Sequence, residues 1–553
     1  MSRITKPVEL TGQDEPVGTL QPPGAARPAD QAPSGRLVRL PGPDSLWWIG
    51  AVAVAFTGVQ LLVMPLRLGL SWDEVVYVSQ IGGHVPAAFF DPARSRGVTL
   101  LVAPVTMITS SIAVLRAYLA VASGLALFGS LLAWRKLRPA WILALAGLAF
   151  GGLWVTQFYG PQAMPDEWMA FAALAAVGLF LRAAGTTGRE TGAGAASAEV
   201  ADRAETADNA EAADIAEAAD GGDGAQARTR RWSLLGLAIA VAAATLTRPG
   251  DAVFLVAALL IAALGVRAWR QWPLVAAVTV GFALGAAEWV AEAYLRFGGP
   301  LARLHLASAE QAGFGLHLGM WAELRAVNGP TLCRPCTVGW RYPEVGLWLA
   351  LLPLIVALGV LVARRADRFR SSLLAAVTAL ALASQYLIGI DYAAPRFMIP
   401  AYALVAIPVA DLLAWLLVTA KATDRPWITA LVSAALVAQI GMQEIVFAHE
   451  VAGTVTFHAD YATAAADLGK LGIRPPCLIN GAQRIPIAFY AGCASTPNAI
   501  GARPPAAPEA RPGGHFVVLT WGKQSPPPFA AHWRKVTLTS TGKLTLVAYL
   551  PPG

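Results

Sequence analysis

Apolar runs of about 20 residues recur along this 553-residue chain, separated by short polar connections. A helix needs about 20 mostly apolar residues to cross roughly 30 Å of hydrocarbon. Such runs lie at 46–69, 113–134, 140–158, 167–184, 232–248, 251–267, 273–295, 344–363, 371–390, 397–419 and 427–446, which predicts eleven membrane spans. The stretch 97–112, "GVTLLVAPVTMITSSI", is shorter and broken by proline, and reads as an interfacial helix on the outer surface. From 447 the pattern changes in kind. "HADYATAAADLGKLGI" and "AQRIPIAFYAGC" have helical character, while "PCLING", "HFVVLTW" and "VTLTSTGKLTLVAYL" alternate like strands. The predicted fold is therefore mainly α, a polytopic transmembrane domain over 46–446, with a small external α/β domain over 447–553.

Composition agrees with the span count. The chain is 56% hydrophobic and only 14% charged, with a mean hydropathy of +0.52, whereas soluble domains carry about a quarter charged residues. The net charge of +7 follows from basic loops flanking spans and gives no reason to expect nucleic acid. Those loops, "WRKLRP" (134–139), "ARTRRW", "VRAWRQW", "ARRADRFR" and "KATDRPW", fall at every second connection. With the N-terminus inside, all are cytoplasmic, the C-terminus is external, and the protein is placed in the plasma membrane. Cys333, Cys336, Cys477 and Cys493 then share the external side, where disulfides persist. Residues 1–45, Pro/Gly-rich, and 185–230, Ala/Asp/Glu/Gly-rich, read as a disordered tail and a disordered cytoplasmic insertion, although the alanines allow local helix. The external loops of note are 70–112 and 296–343.

Two acidic pairs lie at external span ends: Asp73 and Glu74 in "SWDEVVYVSQ", and Asp166 and Glu167 in "MPDEWMAF". Each pair has a plain reading, as interfacial charge or as a helix cap. Two such pairs on one membrane face equally fit a shared site, either a divalent cation site of oxygen ligands or a general base acting on an acceptor hydroxyl. Arg248, Arg396, Arg94 and Arg96 lie on the same face, against the basic-inside trend. Arginine suits phosphate because its planar fork donates two parallel hydrogen bonds. The plain reading is snorkelling to headgroups, or pairing with Asp251 and Asp391. "CRPC" (333–336) has metal-like spacing but no second ligand pair nearby, so a Cys333–Cys336 disulfide is expected, with Cys477–Cys493 as the second. His84 is the histidine nearest the acidic loop. Walker, GxGxxG and GxSxG motifs are all lacking, which argues against nucleotide-driven transport and hydrolase chemistry.

With "SWDEVVYVSQ" after the first span, "RSRGVTLLVAP" in a long first loop, "MPDEWMAF", "TRPGDAVFLVAALL" and "PRFMIPAYALVAIPVA", the chain resembles the GT-C superfamily of integral membrane glycosyltransferases. The likeness is to the branch of protein mannosyltransferases and the lipid A aminoarabinose transferase, and it covers most of 46–446. It implies a hexosyl- or pentosyltransferase that takes sugar from a polyprenyl-phosphate donor and inverts the anomeric centre. Asp73 would match the catalytic base, with Glu74 its neighbour. Asp166 and Glu167 would match the element that positions substrate or holds a metal, Asp166 being the ligand to Mg or Mn. Arg248 and Arg396, with Arg94 and Arg96, would hold the lipid phosphate. The acceptor would be a cell-envelope glycan, lipid or protein. No β-trefoil insertion of the protein mannosyltransferase kind is evident, and the Ala-rich insertion suggests a bacterial, high-GC member. A flippase or transporter for lipid-linked glycans would instead need charges along a path through the spans. Glu288 and Glu292 are the acids nearest a span interior. A non-catalytic scaffold is the third possibility.

Overall fold

The structure, a computed structural model, describes residues 41–185, 209–310, 315–334, 336–337, 339, 343–497, 515–539 and 545–552. Every element below lies within Pro43–Gly553, which forms one compact unit. The first half comprises α1 (Trp47–Val63), α2 (Trp72–Val78), α3 (Gly97–Thr106), α4 (Ile112–Leu132), α5 (Ala140–Gly151), α6 (Trp154–Tyr159), α7 (Pro165–Ala183), α8 (Asn209–Thr247), α9 (Pro249–Gly265) and α10 (Trp272–Arg296). Then come α11 (Pro300–Glu310), α12 (Met320–Ala326), α13 (Pro343–Ala363), α14 (Phe369–Ile388), α15 (Ile399–Ala422) and α16 (Pro426–Lys470). The C-terminal part holds β1 (Cys477–Gly481), α17 (Arg484–Ala491), β2 (Ala494–Ser495), β3 (His515–Trp521), β4 (Arg534–Thr537) and β5 (Leu546–Leu550).

Proline sets many of the boundaries. It occupies the first helical positions of α7, α9, α10, α15 and α16, where its missing N–H has no intrahelical partner to lose. Among the described residues six helices, α4, α10, α13, α14, α15 and α16, are long and apolar enough to cross a membrane, and α1, α3, α5 and α9 are shorter apolar helices. The expected count of eleven differs from this in identifiable places. The run 140–158 breaks at Gly152 into α5 and α6, and the runs 46–69 and 251–267 give the shorter helices α1 and α9. The stretch 97–112, not counted among the eleven, is the ten-residue helix α3. The last span does not stop at 446. With no proline between 427 and 474, α16 runs on for 45 residues into the C-terminal domain. Residues 1–40 and 186–208, read above as disordered, lie outside the described residues. Residues 209–230 of the expected disordered insertion are instead the start of α8, a helix the alanines favour.

The bundle is built as lipid requires. Small residues line the inner helices, such as Ala170, Ala173 and Ala176 in α7 and Ala403, Ala406 and Ala410 in α15, so backbones approach closely. A Cβ on Gly359 of α13 would run into the Pro408 carbonyl of α15. Large apolar side chains such as Leu62, Ile261 and Val437 point outward, as a bundle surface that faces hydrocarbon allows.

The C-terminal sheet has the order β2-β1-β3-β5-β4. β1 lies parallel to β2 and β3, with Ile479 opposite Val517, and β5 is antiparallel to β3 and β4, with Leu519 opposite Ala548. "VTLTSTGKLTLVAYL" supplies parts of two strands. The domain is seated on α2. Ile485 and Phe489 of α17 pack with Leu70, Val75 and Val76. Leu70 N–H donates to Tyr490 Oη at 2.8 Å, and His458 Nδ1–H donates to the Gly69 carbonyl at 2.7 Å.

Candidate active site

The segment "SWDE" forms the first turn of α2. Ser71 caps it by accepting from Glu74 N–H, and the Glu74 carboxylate accepts from Ser71 N–H at 2.9 Å, a reciprocal capping box. Successive side chains on a helix point about 100° apart, so Asp73 and Glu74 cannot face one place. Asp73 turns outward, 22% exposed. Its Oδ1 accepts from Arg94 Nη2 at 2.6 Å and its Oδ2 from Arg396 Nη2 at 3.0 Å. Burial raises the Asp73 carboxyl, but the two guanidiniums outweigh it and hold the group down to about 2.

From Asp73 the charges alternate in both directions. Arg94 also pairs with Asp91 and lies over the Tyr77 ring. Arg396, on the 3₁₀ turn Pro395–Met398, also meets Asp166 at 3.6 Å and lies over Tyr159. Asp166, in the first turn of α7, is fully buried and pairs with Arg248. Arg248 stands at the break between α8 and α9, where Pro249 prevents a continuous helix. It reaches Asp251 at 3.1 Å and Tyr386 Oη at 2.6 Å, and Tyr386 O–H donates to Asp251 at 2.5 Å. Asp91, Arg94, Asp73, Arg396, Asp166, Arg248 and Asp251 thus form one chain of four acids and three arginines. Of the residues singled out in the sequence, Asp73, Asp166, Arg94, Arg248 and Arg396 meet here.

Glu74, Glu167 and Arg96 do not. Glu74 was expected beside the base; it is instead buried completely, clasped by the equally buried Arg116 of α4. Arg116 Nη2 donates to Glu74 Oε2 at 2.9 Å, and Ala163 N–H donates to Glu74 Oε1 at 2.9 Å. Burial raises this carboxyl too, but Arg116 and the two backbone N–H donors bring it below its ordinary value. Glu167, one position on from Asp166, is 1% exposed, and its carboxylate oxygens have no hydrogen-bond partner among the described residues. Arg96 turns to Glu292 at 2.6 Å and Gln80 at 3.0 Å. Arg303 of α11, fully buried, closes this corner by donating to Glu292, the Pro92 carbonyl and the Arg94 carbonyl. Glu288 accepts from Arg96 N–H at 3.4 Å, so the two acids considered for a transport path hold the first loop instead.

The donor set does not fit a divalent cation. Asp73 and Asp166 face arginines rather than one another's oxygens, and among the described residues no cluster of three His, Cys, Asp or Glu side chains is suited to a metal. The metal expected at Asp166 therefore enters no step below.

Close backbone approach joins the first loop to Arg248. A Cβ on Gly97 would press into the Leu246 carbonyl and lie 2.8 Å from Thr247 Cα. Gly97→Ala is expected to cost about 1–3 kcal/mol and to lower activity by parting Arg94 from Arg248. Thermal unfolding and initial rates check this, and wild-type values in both would refute it.

No family model matches the sequence, and no curated protein matches it. Solved structures do. The crystal structure of ArnT from Cupriavidus metallidurans bound to undecaprenyl phosphate superimposes with a TM-score of 0.61 at 14% identity, covering 91% of this chain and 98% of that one. This chain has the fold of ArnT. The apo form of the same ArnT gives a TM-score of 0.57 at 14% identity over the same shares of both chains. The apo oligosaccharyltransferase of Archaeoglobus fulgidus gives 0.51 at 14% identity over 81% of this chain and 64% of that one. With that fold and its apolar helices, the protein is a multi-pass membrane protein. In this fold the Asp73 cluster joins the first loop to the start of α7, the α8–α9 break and the turn before α15.

Proposed function

We propose that the protein is a glycosyltransferase that moves a sugar from a polyprenyl-phosphate donor to an acceptor hydroxyl at the external face. The observation that carries this reading is Asp73 held between Arg94 and Arg396, with Arg248 one aspartate further on. A carboxylate and three arginines supply a base and an anion site within one cluster. The fold of ArnT, whose crystal structure contains undecaprenyl phosphate, supports a prenyl-linked anion as the ligand.

The reaction is a single displacement. An acceptor hydroxyl attacks the anomeric carbon, its proton passes to Asp73, and the bond from that carbon to the phosphate oxygen breaks with its electron pair on the phosphate. The configuration inverts. Arg396 and Arg248 face the charge that develops on the leaving group, where preorganised donors contribute a few kcal/mol each, roughly 3–4 by analogy with oxyanion donors. Without donor, Asp73 is a weak base, because both its oxygens are engaged by guanidinium groups. An entering phosphate competes for the same forks, and as it takes them the carboxylate becomes free to accept a proton. Donor binding thereby prepares the base. The eleven-span topology, with an internal N-terminus and external C-terminus, belongs to this proposal and puts Asp73 outside.

Arg396→Ala is expected to raise the donor KM about tenfold or more, with a smaller change in acceptor KM, since truncating one partner of a desolvated charge pair costs roughly 2–5 kcal/mol. Steady-state kinetics with each substrate varied in turn checks it; equal losses on both would remove the phosphate role.

A further inference from the structure

Arg396 stands on the 3₁₀ turn that leads directly into α15, and the stretch before that turn, Gly389–Ala394, has no helix of its own. α14 ends at Ile388, and the 3₁₀ turn carrying Arg396 begins at Pro395. The residues between are held from outside by the segment that leads to the CRPC motif. Gly315 N–H donates to the Gly389 carbonyl at 3.1 Å and His317 N–H to the Ile388 carbonyl at 3.0 Å. Cys333 and Ala393 exchange both backbone bonds, at 2.8 and 3.2 Å, as a one-rung antiparallel bridge. The Glu323 carboxylate lies near Ala394 N–H, and the Arg334 guanidinium lies 4.7 Å over the Tyr392 ring. Cys333, Ala326 and Ala393 are almost fully buried in a small apolar knot, with Cys336 and Ala322 against it. Cys336 Sγ lies 3.8 Å from the Ala322 carbonyl, on α12. The Cys333–Cys336 bond, with Cα atoms 4.6 Å apart, therefore ties the rung at Ala393 to a helix. That rung lies three residues before Arg396.

We propose that the Cys333–Cys336 disulfide is a positioning element for Arg396, so that affinity for a prenyl phosphate depends on this bond being intact. The inference rests on Arg396 holding the donor phosphate. Without the bond, Cys333 keeps its rung by two backbone hydrogen bonds and the packing of the small apolar knot, and the stretch that leads into Arg396 gains freedom. A misplacement of about 1 Å costs a positioned contact on the order of 10²-fold. The second disulfide, Cys477–Cys493, lies in the core of the C-terminal domain with Ile479 and Val517 and makes no such tie.

The test measures affinity for undecaprenyl phosphate on the full-length protein in detergent. Cys333→Ser with Cys336→Ser is expected to weaken binding about tenfold or more, toward the level of Arg396→Ala. Adding Arg396→Ala to that pair is expected to cause little further loss, a non-additivity that general destabilisation would not produce. Cys477→Ser with Cys493→Ser is expected to bind as wild type. In that background a mild reductant can act only on Cys333–Cys336, so binding should fall on reduction of the folded protein and return on reoxidation. Wild-type affinity after loss of the Cys333–Cys336 bond, with Arg396→Ala impaired, would overturn the inference. Wild-type affinity in Arg396→Ala would overturn the phosphate role of Arg396 and the inference with it.

Discussion

Asp73→Asn is expected to slow transfer by about 10²- to 10⁴-fold, the usual contribution of a positioned general base, while binding a polyprenyl phosphate more tightly than wild type. The two effects share one cause. Asparagine keeps the shape of aspartate but accepts no proton, so the hydroxyl loses its base. It also lacks the charge that draws Arg94 and Arg396 at 2.6 and 3.0 Å, and hydrogen bonds between ionised partners are about twice as strong as neutral ones. The forks are thus more available to phosphate. Full activity in this variant would refute the base, and weaker phosphate binding would refute the competition. The pH profile gives a second view. A carboxyl lowered to about 2 is ionised at all ordinary pH and loses its basic form only as pH falls through that value. The donor kcat/KM, which reports the free enzyme, should therefore show no acid limb from Asp73 above about pH 3. In the donor complex the arginines have shifted to phosphate and the carboxyl returns toward its ordinary value of about 4, so the acid limb of kcat should lie at higher pH.

The largest loss of stability should come from separating Glu74 and Arg116. Both side chains are fully buried, and removing one partner leaves an uncompensated charge, a cost of about 3–5 kcal/mol. Glu74→Leu and Arg116→Leu are each expected to lower the unfolding temperature in detergent sharply. The double substitution should recover part of the loss, since no lone charge remains. Recovery should be incomplete, because Arg116 also donates to the Leu68, Gly69 and Pro161 carbonyls at 3.3, 3.1 and 2.9 Å. Single variants as stable as wild type would refute the pairing. Because the Glu74 carboxyl is lowered in the folded state, its contribution is present above its unfolded pKa and is lost as pH falls through the folded one.

The sequence already displayed the apolar helices, the strands β1 and β3, and Asp73, Asp166, Arg94, Arg248 and Arg396 of the cluster, because each depends on local pattern, while Asp91 was not singled out. What it hid were partnerships. Asp73 and Arg396 are 323 residues apart, and no periodicity links them. The adjacent pair Asp73 and Glu74 looked like one site, yet "SWDE" carries the S-x-x-E capping signature that assigns Glu74 to the helix start. The lone Arg116 within "IAVLRAYLAV" was the other missed signal. An isolated charge in an apolar run is costly and calls for a partner, and Glu74 is that partner. Arg303 in "PLARLHLAS" is a similar case: Leu301 and Leu304 face outward and the arginine faces in, reversing the usual helix pattern. Asp251 was noticed only as a neutraliser of Arg248, and Tyr386 not at all. Both belong to the cluster through side-chain hydrogen bonds that only packing creates.

At 1.5 Å per residue the 45 residues of α16 make a rod of roughly 68 Å, anchored at one end in the bundle and at the other in the sheet. A rod of that length is a lever. A tilt of about 5° at its base would carry its tip about 6 Å sideways, and His458 on that rod holds the Gly69 carbonyl just ahead of α2. The tilt of this helix, which its packing against neighbouring helices sets, is thereby mechanically connected to the segment that leads into Asp73.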